Sequence, residues 1–432
     1  MKPILIALLA SLAAVAARAE PAEFPDAAGS DPAVVGWMQG SPPPPGSVVR
    51  YADGSMYSFP QIRWSFANFR QLAPTRNIWR GSGPPAALPR ALRDDIDALT
   101  FQPLGGTGTM TWEQSLAANY TDAILVLHKG RIVYERYLGV MTPHTQHMAM
   151  SVTKSFFGTV AAMLVAEGRL DPQALVPQYI PELKDTAFGD ATVRQVLDMT
   201  TGLKYSENYA DPDAEVWQHA RAGSVFPRPP GYSGPQTFYE YLQTLQKDGE
   251  HGRAFAYKTV NTDVLGWLIR RVTGQPVGDV LSERIWQPLG AEEDGYILID
   301  TVGSEFAGGG LNVTLRDLAR FGEMMRLDGR FNGRQVVPRA VVDDIRRGAD
   351  RGHFAKAGYR LLPGWSYRNQ WWVTHNEHGA YAARGIHGQA IYIDPTAEMV
   401  IARFGSHPLA ANANFDPTSL PAFHALAKHL MR

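Results

Sequence analysis

The sequence predicts an α/β protein: one antiparallel sheet built from strands early and late in the chain, flanked by helices, with a helical subdomain inserted between them. Three observations carry this expectation. Two β-rich runs, Ala123-Ile124-Leu125-Val126-Leu127 and Arg131-Ile132-Val133-Tyr134-Glu135-Arg136-Tyr137, lie close together in the first half. A second pair, Gln389-Ala390-Ile391-Tyr392-Ile393 and Met399-Val400-Ile401-Ala402-Arg403-Phe404, lies near the end. What is periodic between them is mostly helical, and the apolar faces of such a sheet need helices to cover them.

The composition sets bounds. The 432 residues are 45% apolar, enough to fill a sizeable core. Charged residues make up only 19%, below the ~25% of an average soluble chain, which argues against long solvated helices and charged tails. The 41 glycines and 31 prolines point to a fold rich in loops. A net charge of −1, without a local Lys/Arg cluster, gives no basis for nucleic-acid binding. Cysteine is absent. Thiol nucleophiles, thiolate–zinc sites, iron–sulfur clusters and disulfides are thereby excluded, so covalent catalysis would have to use Ser, Thr, Lys, Asp, Glu, His or Tyr.

Residues 1–19 read as a cleaved signal peptide. Lys2 supplies a positive start, the stretch 4–17 is apolar apart from Ser11, and Ala17-Arg18-Ala19 is a small-x-small cleavage site before Glu20. The apolar run is too short to span a bilayer comfortably. A periplasmic or secreted protein without stable membrane insertion is expected. Residues 20–99 form an N-terminal extension. Its proline run, 42–45, is a stiff spacer, and its aromatics, among them Tyr51, Tyr57, Trp64, Phe66 and Phe69, predict that it packs onto the body. The body, 100–432, divides into an α/β part, 100–172 and 300–432, and a helical part, 173–299.

Within the body, Lys129-Gly130 turns the first strand pair into a hairpin. Its first strand is apolar throughout, as a central strand would be. A helix follows over 151–167. Phe156, Phe157, Val160, Ala161, Leu164 and Val165 give it so wide an apolar face that it must be buried, and Gly168 stops it. The segment 264–272 is a helix ending at Gly274. Thr314-Leu315-Arg316-Asp317 opens another directly after Gly308-Gly309-Gly310. A terminal helix is expected over 420–431. No internal repeat is present.

The chemistry centres on Ser151-Val152-Thr153-Lys154, the chain's one Ser-x-x-Lys, at the start of the buried helix. Residues three apart share a helix face, so the amine can reach the hydroxyl. A serine hydroxyl is a poor nucleophile near neutrality and needs a base. A lysine forced out of water gives up its proton more easily and can serve as that base. The helix N-terminus adds N–H groups and a positive dipole end for a developing oxyanion. The bland alternative is an N-capping serine and a first-turn surface lysine; a cation in the first turn is, however, disfavoured by the dipole. Tyr257 offers a phenol as second proton carrier, or is simply a core tyrosine at a helix entrance. In Gly385-Ile386-His387-Gly388-Gln389, two glycines let a ligand approach the backbone, and a main-chain N–H there could complete an oxyanion hole; the alternative is an ordinary turn.

Competing constellations fail. Gly231-Tyr232-Ser233-Gly234-Pro235 has Pro where a nucleophile elbow needs Gly. His375, His378 and His387 cluster in sequence but lack the helical i, i+4 geometry of a zinc hydrolase. Gly105-Gly106-Thr107-Gly108 lacks the following Lys of a phosphate loop.

Three segments in order, Ser151-x-x-Lys154, Tyr257 leading into Asn261-Thr262-Asp263-Val264-Leu265-Gly266-Trp267, and Gly385-Ile386-His387-Gly388-Gln389, resemble the class C β-lactamase-like serine hydrolases. The similarity covers about 100–432. Within the family it looks closest to the 6-aminohexanoate-dimer hydrolases, which cleave linear amides of nylon oligomers, and to related esterases. The resemblance implies a serine β-lactamase/penicillin-binding-protein-like fold and a small-molecule amide or ester substrate, cleaved through an acyl-enzyme without cofactor or metal. It implies Ser151 as nucleophile, Lys154 and Tyr257 as the proton-transfer pair, and the N–H groups of Ser151 and Ile386 as the oxyanion hole. Tyr209, Asn312 and His387 would contact substrate. Two departures stand out. Thr259 stands where β-lactamases of this class carry Asn, and Ile386-His387-Gly388 replaces their Lys-Thr-Gly. Losing that cation would forfeit ~1.5–3 kcal/mol on a β-lactam carboxylate. A β-lactamase or DD-peptidase is the alternative on the same fold. A non-catalytic cell-envelope binding protein and a metal hydrolase are the alternatives of other classes.

Overall fold

The structure is a computed structural model that describes residues 24–432, so the predicted signal peptide lies outside the described residues. Its centre is a seven-stranded antiparallel sheet. In spatial order the strands are Ser366–Arg368, Trp371–Val373, Tyr381–Arg384, Ala390–Asp394, Met399–Gly405, Thr121–His128 and Arg131–Tyr137. The early hairpin and the late pair therefore meet: Ile401 lies opposite Val126, and Ala402 opposite Leu125. The hairpin turn has positive φ at both Lys129 (52°) and Gly130 (75°), the combination whose twist matches that of the flanking strands.

Both faces of the sheet are covered, which is why the stretch 123–127 within the strand Thr121–His128 is apolar without alternation. Ala123, Leu125 and Leu127 pack with the helices Val152–Ala166, Val260–Thr273 and Leu315–Arg326. Ile124 and Val126 face the other layer, made by Trp112–Ala118 and Asp416–Leu430. Phe156 stacks on Phe321 with ring centroids 3.7 Å apart. A Cβ at Gly158 would stand 2.3 Å from the Asn369 carbonyl oxygen, so only glycine lets the buried helix press this closely on the late strands.

Three strands were not legible in the sequence: Ser366–Arg368, Trp371–Val373 and Tyr381–Arg384. At three or four residues each, they are too short to show a period. The terminal helix begins at Asp416, earlier than its apolar pattern suggests. Pro417 sits in its first turn, where a missing N–H is harmless. Pro421 cannot bond back to the Pro417 carbonyl, and the Leu104 N–H takes that acceptor instead at 2.9 Å.

A second sheet, of four strands, joins distant segments in the order Thr75–Ile78, Gly295–Leu298, Leu311–Val313, His147–Met148. The N-terminal extension thus supplies an edge strand as well as packing surface. Gly295–Leu298 is a strand inside the segment read as helical. Further anchorage comes from Arg63, whose Nη1 lies 3.1 Å from Asp122 Oδ1. The other Asp122 oxygen lies 3.2 Å from His147 Nε2, and all three side chains are buried.

Candidate active site

The four-stranded sheet delivers the chain to the start of the buried helix. Ala149 N donates to the Leu311 carbonyl at 2.8 Å. Met150 then takes φ 47°, a left-handed value uncommon for a non-glycine residue and a local strain of the kind that clusters at functional turns. Ser151 follows at φ −69°, and its side chain makes no capping bond to the helix. The N-cap alternative therefore does not hold. Instead, Lys154 Nζ donates to Ser151 Oγ at 2.8 Å and to the Gly308 carbonyl at 2.5 Å. Lys154 is only 1% exposed. Burial pushes its amine down to about 8, against the pull of Glu207 and Asp263.

Gly308 is held in turn. Its N–H donates to Asp263 Oδ1 at 3.0 Å, and a Cβ here would stand 2.3 Å from Thr259 Cγ2. The Gly308-Gly309-Gly310 run and the Thr259–Asp263 segment thus meet under the lysine. Tyr257 closes the other side. Lys154 Nζ lies 5.1 Å from its ring centroid, and the ring stacks on Trp372 at 5.3 Å. Burial, reinforced by Glu207, holds the phenol well above its usual range, while Ser151 and Arg384 act in the opposite sense. The phenol is therefore protonated at neutral pH.

Gly385 brings the late segment alongside Ser151: a Cβ on it would lie 3.0 Å from the Ala149 carbonyl. After Ile386, His387 adopts φ 61° and donates its main-chain N–H to the Ala410 carbonyl at 3.0 Å. The main-chain N–H groups of Ser151 and Ile386 enter none of the hydrogen bonds among the described residues, so both are free to meet a carbonyl oxygen.

Two cavities of about 460 and 540 Å³ meet here and share Ser151, Glu207, Tyr209 and Ile386. The first is walled by Met148, Trp217, Phe226, Phe306 and Leu409, with Tyr57 reaching in from the extension. The second is walled by Tyr257, Tyr359, Trp372 and Arg384. Tyr209 donates its hydroxyl to Glu207 Oε2 at 2.9 Å. His387 lines the first cavity with Nδ1 2.6 Å from the His407 carbonyl; burial lowers its pKa to about 4, so it carries no charge at pH 7.

One expected substrate contact is corrected. Asn312 lines neither cavity. It is fully buried in the strand Leu311–Val313, opposite Met148 and Tyr296, with Nδ2 on the Gly310 carbonyl at 3.0 Å. Glu207 was missed. Its carboxylate also accepts from Thr259 N, but a glutamate in an aperiodic loop gives no sequence signal beyond its place two residues before Tyr209. His375, His378 and His387 engage separate partners: Ser366, Asp394 and the His407 carbonyl.

Comparison with known proteins places this arrangement. The family model described as Beta-lactamase matches residues 111–414. The chain belongs to the beta-lactamase family. This beta-lactamase-family chain is 37% identical over 389 residues to the 6-aminohexanoate-dimer hydrolase of Paenarthrobacter ureafaciens, covering 90% of this chain and 91% of that one. It is 28% identical over 191 residues to Esterase EstB of Burkholderia gladioli, covering 40% of this chain and 46% of that one. A solved structure from Bacillus anthracis, assigned as a 6-aminohexanoate-dimer hydrolase, superposes with a TM-score of 0.81 at 33% identity, over 90% of this chain and 99% of that one. The protein is a hydrolase of the amidase/esterase kind on the serine β-lactamase fold. Among the described residues no helix is long and apolar enough to cross a membrane.

Proposed function

We propose that the protein is an exported serine hydrolase that cleaves a small linear amide or ester through an acyl-enzyme, in the manner of a 6-aminohexanoate-dimer hydrolase. One observation carries the reading: a fully buried lysine amine, depressed to about 8, donates to a serine hydroxyl that caps nothing. In its neutral form that amine is the base Ser151 needs. Ser151 Oγ bonds to the substrate carbonyl carbon as Lys154 Nζ takes its proton. The carbonyl oxygen becomes an oxyanion between the N–H groups of Ser151 and Ile386, each donor worth roughly 10²–10³ in rate. Tyr257, still protonated, gives its proton to the departing nitrogen or oxygen and is refilled from Lys154. The C–N or C–O bond breaks, leaving an ester on Ser151. Water then attacks that ester, its proton passes to Lys154, and the acid leaves as Ser151 regains its hydrogen.

The first cavity supports an uncharged, flexible chain as one half of the substrate, because its wall is largely aromatic and aliphatic. A β-lactam fits less well: His387, at the position of the family's cationic motif, is neutral at pH 7. Export rests on the apolar stretch 4–17 and the cleavage site at Ala19. The decisive experiment is intact-mass detection of an acyl adduct across p-nitrophenyl esters, a 6-aminohexanoate dimer, D-amino-acid peptides and penicillin G. The expected result is an adduct on the wild type with the esters or the linear amide and none on Ser151→Ala. Turnover surviving in Ser151→Ala would overturn the assignment.

A further inference from the structure

A second set of ionisable side chains gathers away from the cleft. The strands Trp371–Val373 and Tyr381–Arg384 are joined by loop 374–380, at the opposite end of the latter strand from Gly385. The loop is internally braced. Thr374 Oγ1 donates to the Ala380 carbonyl at 2.7 Å, and Ala380 N donates to Asn376 Oδ1 at 3.0 Å. Glu377 and His378 project from it toward His424 of the terminal helix. One nitrogen of each imidazole and one carboxylate oxygen of Glu377 all lie within 4.8 Å of one another. His424 Nε2 stands 3.4 Å from Glu377 Oε1, and the two imidazole centroids are 5.2 Å apart.

His378 is set up in a particular way. Its side chain is 7% exposed, and Nδ1 lies 2.7 Å from Oδ2 of Asp394, which is wholly buried. The other Asp394 oxygen accepts from Ala397 N at 2.9 Å, which fixes the carboxylate. A carboxylate that takes the Nδ1 proton bond leaves the lone pair on Nε2 and sets the ring's orientation, as the outer partner of a metal-bound histidine does. Nε2 of His378 has no hydrogen-bond partner among the described residues.

We propose that Glu377, His378 and His424 bind one divalent transition-metal ion of the zinc class, with Asp394 orienting His378, and that the ion fastens the terminal helix to loop 374–380. Two imidazole nitrogens and one carboxylate oxygen are a donor set that zinc accepts, with water in the fourth position. Zinc–ligand distances of roughly 2.0–2.2 Å require the three donors to draw together. Glu377 is exposed and His424 half-buried, so both can rotate onto a fixed His378. None of the three lines either cavity of the cleft, so the ion stands apart from the hydrolytic chemistry.

The test is zinc titration of the tag-free, metal-stripped full chain by calorimetry, with thermal unfolding in parallel. One equivalent binding in the micromolar range and a higher Tm with zinc are expected. His424→Ala and Glu377→Ala should each weaken binding tenfold or more, and Asp394→Asn by roughly 10–100-fold. Hydrolysis of a p-nitrophenyl ester should be the same with zinc and with EDTA. Absence of binding, or wild-type affinity in His424→Ala, would overturn the site. Loss of turnover in EDTA would overturn its separation from the cleft.

Discussion

Lys154 carries two opposed demands. Folding would leave it in water; the site needs it dry. Because its amine is depressed to about 8, kcat/KM should rise with pH and level off above about 8, as the amine loses its proton. Lys154→Met should lower kcat/KM by at least ~10²-fold, the scale of general-base catalysis. The same depression predicts a stability profile. Between about 8 and 10.5 the unfolded chain binds a proton on this amine that the folded chain does not, so stability rises with pH across that window. Measured against Lys154→Met by chemical unfolding at a series of pH values, the wild type should gain up to about 3 kcal/mol between those limits. Glu207 acts on the same group from the other side, since its charge favours the protonated amine. Glu207→Gln should shift the rising limb of the pH–rate profile to lower pH, which ester assays of the two proteins would show. At this scale the sequence was informative where chemistry is local. Ser151 and Lys154 are three residues apart on one helix, and that spacing decides their contact. Glu207 stayed silent because what matters about it, its approach to Thr259 and Tyr209, is made by a loop with no pattern to read.

At the scale of elements, the site is a meeting of three chain reversals. Met150 and His387 hold left-handed backbone on either side of the two free N–H groups, and Gly308 carries its carbonyl under the lysine. Gly308→Ala would drive a Cβ into the Thr259 side chain. It should cost roughly 1–3 kcal/mol of stability as an overpacked site. The displaced carbonyl should also lower the pH at which activity levels off, because an acceptor that favours the protonated amine is lost. Thermal unfolding and a pH–rate profile of the variant check both. The helices 152–166, 260–273 and 315–326 were legible because each runs long enough for its apolar face to repeat. The strands 366–368, 371–373 and 381–384 were not, although they build the second cavity's wall through Trp372 and Arg384. Short strands borrow their definition from neighbours, and those neighbours are distant in the chain.

At the scale of the whole molecule, the extension is bound into the fold by the edge strand Thr75–Ile78 and by the buried Arg63–Asp122–His147 group. Arg63→Met would take the guanidinium from a buried Asp122 and leave it the His147 imidazole alone as side-chain partner among the described residues. A loss of about 3–5 kcal/mol is expected from denaturant unfolding, since breaking one partner of a buried pair strands the other charge. The aromatics of this segment predicted that it packs; the strand was invisible because Thr75-Arg76-Asn77-Ile78 shows no alternation. Tyr57 gives the attachment a further meaning, for it stands in the wall of the first cavity, nearly a hundred residues ahead of Ser151. The part of the chain that carries none of the reacting groups thereby holds a vote on what may enter. Substitutions there can redraw the range of accepted molecules while the bond-breaking centre keeps every atom in place.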